Sequence, residues 1–128
     1  MSLELKLQQE SVEYQKLQAD LSKVVDARQR LDAQLSENEV VKKEFDQLLP
    51  ENHVYKLIGP VLVKQDQAEA KSNVKTRLDF IQSEIRRVEG QIKEIEEKQE
   101  KKKAQLVQLQ SAIQQGSMQK GSASAQGP

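Results

Sequence analysis

His53 is the only histidine in the 128-residue chain, and there is no cysteine. A zinc site draws on about four nitrogen, sulfur or oxygen ligands, usually His and Cys at short spacing, so no metal centre is expected. Nucleophilic catalysis needs a base held beside Ser, Cys or Thr and oriented by a third group. His53 stands in a stretch read as loop and offers no such constellation. No G-x-x-x-x-G-K-[ST] sequence occurs, and Gly59-Pro60 cannot replace one, so a phosphate-cradling loop has no support. The 20 acidic side chains are plentiful carboxylates, but paired acids work only where a cleft separates their pKa values. The expectation is no enzyme, no cofactor and no metal. The remaining chemistry is the burial of apolar surface.

Two patterns position that surface. In the first half, spacings of four and three alternate through Leu3, Leu7, Glu10, Tyr14, Leu17, Leu21, Val24, Arg28, Leu31, Leu35, Asn38, Lys42, Phe45 and Leu49, and ten of these 14 are apolar. In the second half the same spacing runs through Val74, Leu78, Ile81, Ile85, Val88, Ile92, Ile95, Gln99, Lys102, Leu106, Leu109 and Ile113, ten of 12 apolar. Sustained heptads of this kind specify coiled-coil helices. Both seams span 47 residues once the second is extended back to Gln67, so an antiparallel intramolecular pair is allowed. Pairing residue i with 116 − i sets Leu7 against Leu109, Leu21 against Ile95 and Leu31 against Ile85; a slip of seven also fits the spacing. The run EIEEKQEKKK at 94–103 reads as a solvated helix face.

Between the helices lies PENHVYKLIGPVLVKQ, residues 50–65. Valine, leucine, isoleucine and tyrosine on either side of Gly59-Pro60 predict a β-hairpin. With two central turn residues Ile58 opposes Val61 and Leu57 opposes Leu62, which leaves both faces apolar. A lone two-stranded ribbon is marginal in water, and its edges offer unpaired backbone groups. Oligomerisation through Val54, Tyr55, Leu57, Ile58, Val61, Leu62 and Val63 is therefore expected.

The boundaries follow from punctuation. Pro50 disfavours a helical Leu49, so the first helix is expected over 3–49, the hairpin over 54–64 and the second helix over 66–115. Asp66 with Glu69 makes a capping-box pattern. Gly116 suits a left-handed stop, and the glycine- and serine-rich residues 116–128 are expected to be disordered. Residues 1–115 thus form a single domain.

Composition agrees and excludes. Alanine, glutamate, lysine, leucine and arginine make up 57 of the 128 residues, with only four aromatics, a coiled-coil balance rather than a thick globular core. Net charge zero lacks the basic excess that displaces counterions from phosphates, so nucleic acid is not an expected partner. The longest apolar run, Leu57 to Val63, is seven residues, against roughly 20 for a membrane-spanning helix. A soluble cytoplasmic protein is expected, with a nuclear pool left open.

A hairpin reading VYKLIGPVLVKQ at 54–65 between two long heptad helices resembles the β-type subunits of the prefoldin family, over residues 1 to 115. Two features depart from the family pattern: Gly90 within the second helix and the glycine-rich tail. The resemblance implies a mainly α fold: a long antiparallel two-helix coiled coil with one β-hairpin at its bend, the hairpins of several subunits closing into a β-barrel platform. It implies a hetero-hexamer of two α-type and four β-type subunits. It also implies an ATP-independent holdase that binds nonnative chains such as actin and tubulin at the coiled-coil tips and passes them to the cytosolic group II chaperonin.

The tips of such a hairpin are the two chain ends. Apolar residues there fall on and off the seam, and Leu3, Leu5, Leu7, Leu106, Val107, Leu109 and Ile113 are the candidate client-binding residues. Arg28, Asn38 and Lys42 are read as seam residues that fix register. The rival reading is a structural coiled-coil tether with the ribbon as a docking element and no client-holding activity.

Overall fold

The computed structural model describes residues 2–125, with side chains as far as residue 117. Helix α1 is Leu3–Asp46, strand β1 is Val54–Ile58, strand β2 is Val61–Gln65 and helix α2 is Gln67–Ala125. The chain divides into two compact units. Asp26–Gly90 forms one, and Met1–Val25 with Gln91–Pro128 forms the other.

The unit of Asp26–Gly90 holds the ribbon and the only buried core among the described residues. Ala70, Val74, Leu78, Ile81, Ile85 and Val88 are its members, all on α2. All but Ala70 lie on the heptad seam, and Leu31, Leu35, Asn38 and Phe45 of α1 are half-buried at the matching seam positions. A seam explains why one stripe is dry while the residues between are wet: Ile81 is 3% exposed and its neighbour Phe80 is 65% exposed.

In this unit α1 stops at Asp46, three residues short of the expected Leu49. Its last turn tightens, with the Gln47 amide donating to the Glu44 carbonyl and Leu48 to Phe45, both at 3.2 Å. Pro50 forces Leu49 out of the helical region, and the freed Leu49 amide donates to Asn52 Oδ1 at 2.7 Å. The Gln67 side-chain amide donates to the Leu49 and Asn52 carbonyls at 2.8 and 2.6 Å. The loop is thus tied to the start of α2, where the Asp66 carbonyl accepts from the Ala70 amide.

The ribbon is antiparallel, with Ile58 opposite Val61, Leu57 opposite Leu62 and Val54 opposite Gln65, the register expected from a two-residue turn. Gly59 has φ of +59°, which only glycine adopts freely. Glycine at the first central position is the signature of a primed hairpin turn whose twist matches the strands. Pro60 follows at a position whose amide the turn does not use.

The unit of Met1–Val25 and Gln91–Pro128 is held differently. Leu7, Tyr14, Leu17, Leu21 and Val24 of α1 and Ile92, Ile95, Leu106, Leu109 and Ile113 of α2 lie at seam positions, but all are half-buried and none reaches the dryness of the first unit. Ser2 caps α1, its Oγ accepting from the Leu5 amide at 3.1 Å.

Two expectations about the end of α2 are corrected. The helix does not stop at residue 115, and 116–128 is not wholly outside secondary structure, because α2 continues to Ala125. Gly116 has no positive φ, so it does not serve as a left-handed stop. No proline follows until Pro128. Each added residue gains a helical hydrogen bond, against about 1 kcal/mol for each glycine relative to alanine. Residues 126–128 of the expected tail lie outside the described residues.

Candidate functional site

Alternation along a strand sorts the ribbon into two faces, and directly opposed residues share one. Tyr55, Leu57, Leu62 and Lys64 lie on one face; Val54, Lys56, Ile58, Val61, Val63 and Gln65 lie on the other. Leu57 and Leu62 are 67% and 66% exposed, and Tyr55, Ile58, Val61 and Val63 are exposed as well. Val54 and its cross-strand partner Gln65 are half-buried. All seven expected oligomerisation residues therefore share one two-sided apolar ribbon with two open edges. Fully covering an aliphatic side chain of this size contributes about 1.5–3 kcal/mol, so a partner that buries both faces gains a large total.

The seven candidate client residues also come together, all in the unit of Met1–Val25 and Gln91–Pro128. Leu3, Leu5 and Val107 are exposed, as is Val12 beside them. Leu7, Leu106, Leu109 and Ile113 are half-buried on the seam. This is an apolar surface in which some groups are free and others only lightly covered.

Among the described residues charged side chains cross between the helices at two places. In the first unit Arg28 Nη1 meets Glu89 Oε1 at 2.7 Å while its Nε lies 3.7 Å from Asp32. In the second unit the Lys102 ammonium donates to Glu10 Oε2 at 2.6 Å and also to Glu13. The hydrogen bond to Glu10, then that to Glu13, holds the Lys102 pKa above the ordinary lysine value. A raised lysine pKa stabilises the fold fully below the ordinary lysine range and stops doing so as pH climbs through the raised value. The Lys102 contribution is therefore complete at neutral pH. The pairs Arg28–Glu89 and Glu13–Lys102 each lie within one residue of pairing i with 116 − i. A slip of seven would move them apart by about 10 Å of helix rise.

Of the three polar seam residues expected to fix register, Arg28 alone makes a cross-helix contact. Asn38 Nδ2 donates to the Gln34 carbonyl of its own helix at 2.7 Å. Lys42 is exposed and pairs with Asp46 one turn on, at 3.2 Å. In the run at 94–103, Lys98 pairs with Glu94 at 3.4 Å, as a solvated face should, but Lys102 of the same run turns to the other helix and is not part of such a face. The Lys102 cluster was not legible in the residue pattern, although Glu10 and Lys102 both occupy seam positions with opposite charge. Phe80, Val40 and Val41, exposed in the first unit, also lie off the seam and were missed.

Among the described residues no group of three or more His, Cys, Asp or Glu is placed to hold a metal ion. No described helix is long and apolar enough to cross a membrane.

Comparison with known proteins supplies the family. A family model described as "Prefoldin subunit" matches residues 8–121. The chain is 46% identical over 122 residues to prefoldin subunit 6 of Canis lupus familiaris, covering 95% of each chain. Identity to prefoldin subunit 6 of Homo sapiens is also 46%, over 121 residues and 94% of each chain. These are the eukaryotic subunits that the GPVLVKQ segment at 59–65 resembles. The crystal structure of the prefoldin beta subunit from Thermococcus strain KS-1 superposes with a TM-score of 0.75 at 26% identity, over 84% of this chain and 91% of that one. The relatives are similar in sequence along most of the chain and the solved structure shares its fold, and the chain belongs to the prefoldin subunit family.

Proposed function

We propose that the chain is a β-type subunit of a hetero-hexameric, nucleotide-independent holdase. As a prefoldin subunit it is a chaperone component that assembles with other prefoldin subunits. In the proposed assembly two α-type and four β-type chains join their ribbons into a β-barrel platform. The helix ends hold nonnative proteins of the actin and tubulin class and release them to the cytosolic group II chaperonin. No enzymatic step, cofactor or nucleotide takes part. The proposed place of action is the cytosol, where a chain with no cysteine depends on no disulfide.

The observation that carries this reading is the ribbon. Six large apolar side chains stand exposed on its two faces, far more than one hairpin tolerates alone. A barrel of several ribbons buries one face inward and pairs every edge, which abolishes the aggregation hazard of open strands. The second support is the placement of the apolar helix ends in the unit that does not contain the ribbon, so holding a client and building the platform use different residues.

Native mass spectrometry of the chain mixed with an α-type subunit and the other β-type subunits tests the stoichiometry. The expected species contains six chains, two of them α-type. A complex with any other count of α-type chains, or no complex at all, contradicts the proposal.

A further inference from the structure

In the unit of Met1–Val25 and Gln91–Pro128, every described ion pair that joins the two helices ends on Lys102. Lys102 is a seam residue with its side chain 24% exposed, and Glu10, a seam residue of α1, is 18% exposed. Glu13, off the seam, is 56% exposed, so the charged layer runs from among half-buried apolar residues out to the surface. Leu7, Leu106 and Leu109 lie to one side of it in sequence and Tyr14, Leu17 and Ile95 to the other. No described residue of the unit is buried, so apolar packing alone holds the helices weakly. A partly desolvated ammonium shared by two carboxylates is a stronger tie than an exposed pair, and unlike apolar contacts it weakens with salt.

We propose that Glu10, Glu13 and Lys102 form an electrostatic clasp that closes the two helices of this unit on each other and sets how readily they part. With the clasp closed, Leu7, Leu17, Leu106 and Leu109 stay half-covered against the opposite helix. When it opens, these groups become available together. The link to client capture rests on the holding function proposed above; the clasp does not.

Neighbouring lysines shape the test. Lys16, Lys98 and Lys101 line the same groove as Glu13 and Lys102, so removing one cation does not strip the region of positive charge. Amide hydrogen exchange of the full chain, in its assembly and without any client, reads the clasp directly. In Lys102→Glu, which sets three carboxylates together, exchange in residues 3–25 and 91–113 is expected to accelerate about tenfold. Residues 70–88 exchange as before. The exchanged cluster, Glu10→Lys and Glu13→Lys with Lys102→Glu, restores protection. Raising salt from about 0.05 to about 0.5 M, which shortens the screening length several-fold, speeds exchange in the native unit and has little effect in Lys102→Leu. Unchanged exchange in Lys102→Glu, a charge-swapped chain that exchanges as fast as the single variant, or equal salt sensitivity in native and Lys102→Leu chains overturns the clasp. An intact clasp in an assembly that holds no client would instead overturn the holding function alone.

Discussion

Replacing Leu57 and Leu62 together by aspartate should abolish assembly with partner subunits while leaving the helical circular-dichroism signal nearly unchanged. The two side chains are directly opposed on one face of the ribbon and are its most exposed apolar groups. In the free chain they touch mostly water, so their loss costs the monomer little. In a barrel each leucine contributes about 1.5–3 kcal/mol of burial, and an aspartate in its place adds the cost of desolvating a charge. The two substitutions therefore weaken association by at least about a hundredfold, readable by size-exclusion chromatography at micromolar concentrations. Assembly equal to that of the native chain would show that the ribbon's apolar faces are not the joint.

The second large effect is on stability. Ile81→Ala should lower unfolding free energy by about 2–5 kcal/mol, as deletion of a buried aliphatic side chain does elsewhere. Among the described residues Ile81 is one of six that make up the buried core, and that core is a single stripe with no second layer to relax into the cavity. Phe80→Ala, one residue away on an exposed position, should change the isolated chain by no more than about 0.5 kcal/mol. Urea denaturation followed by circular dichroism separates the two. Equal losses would mean that the seam is not where burial is concentrated.

The contrast between those neighbours shows what heptad spacing conveys. Within Asp26–Gly90 the stripe of α2 that spacing picked out is, with Ala70, the stripe that is buried, because 3.5-residue periodicity leaves one line of side chains facing a partner helix. Hairpin register was legible for a similar reason: Gly59-Pro60 fixes a two-residue turn, and the turn fixes every cross-strand pair.

What escaped the sequence depends on single side-chain reaches or on competition between weak preferences. The end of α1 falls at Asp46 because its last turn tightens ahead of Pro50, with Asn52 taking the freed Leu49 amide, details that spacing does not encode. α2 ran through Gly116 because a glycine disfavours a helix without ending it when no positive φ is imposed. Lys102 seemed only to interrupt an apolar seam. Its long side chain instead reaches Glu10, four residues from the simple pairing position, and Glu13 close to it. Of the seven helix-end residues only Leu5 and Val107 depart from the seam, and both are exposed, while the seven ribbon residues group because they flank Gly59-Pro60 in one hairpin.

The most direct test of the account is light scattering of chemically unfolded actin diluted into the assembled complex without nucleotide. The native assembly should suppress aggregation at near-stoichiometric ratios. An assembly whose chains lack the apolar helix ends, Leu3 to Leu7 and Leu106 to Ile113, should form normally and lose most of that suppression. Aggregation with the native assembly that matches buffer alone would contradict the account and leave the chain as a structural tether.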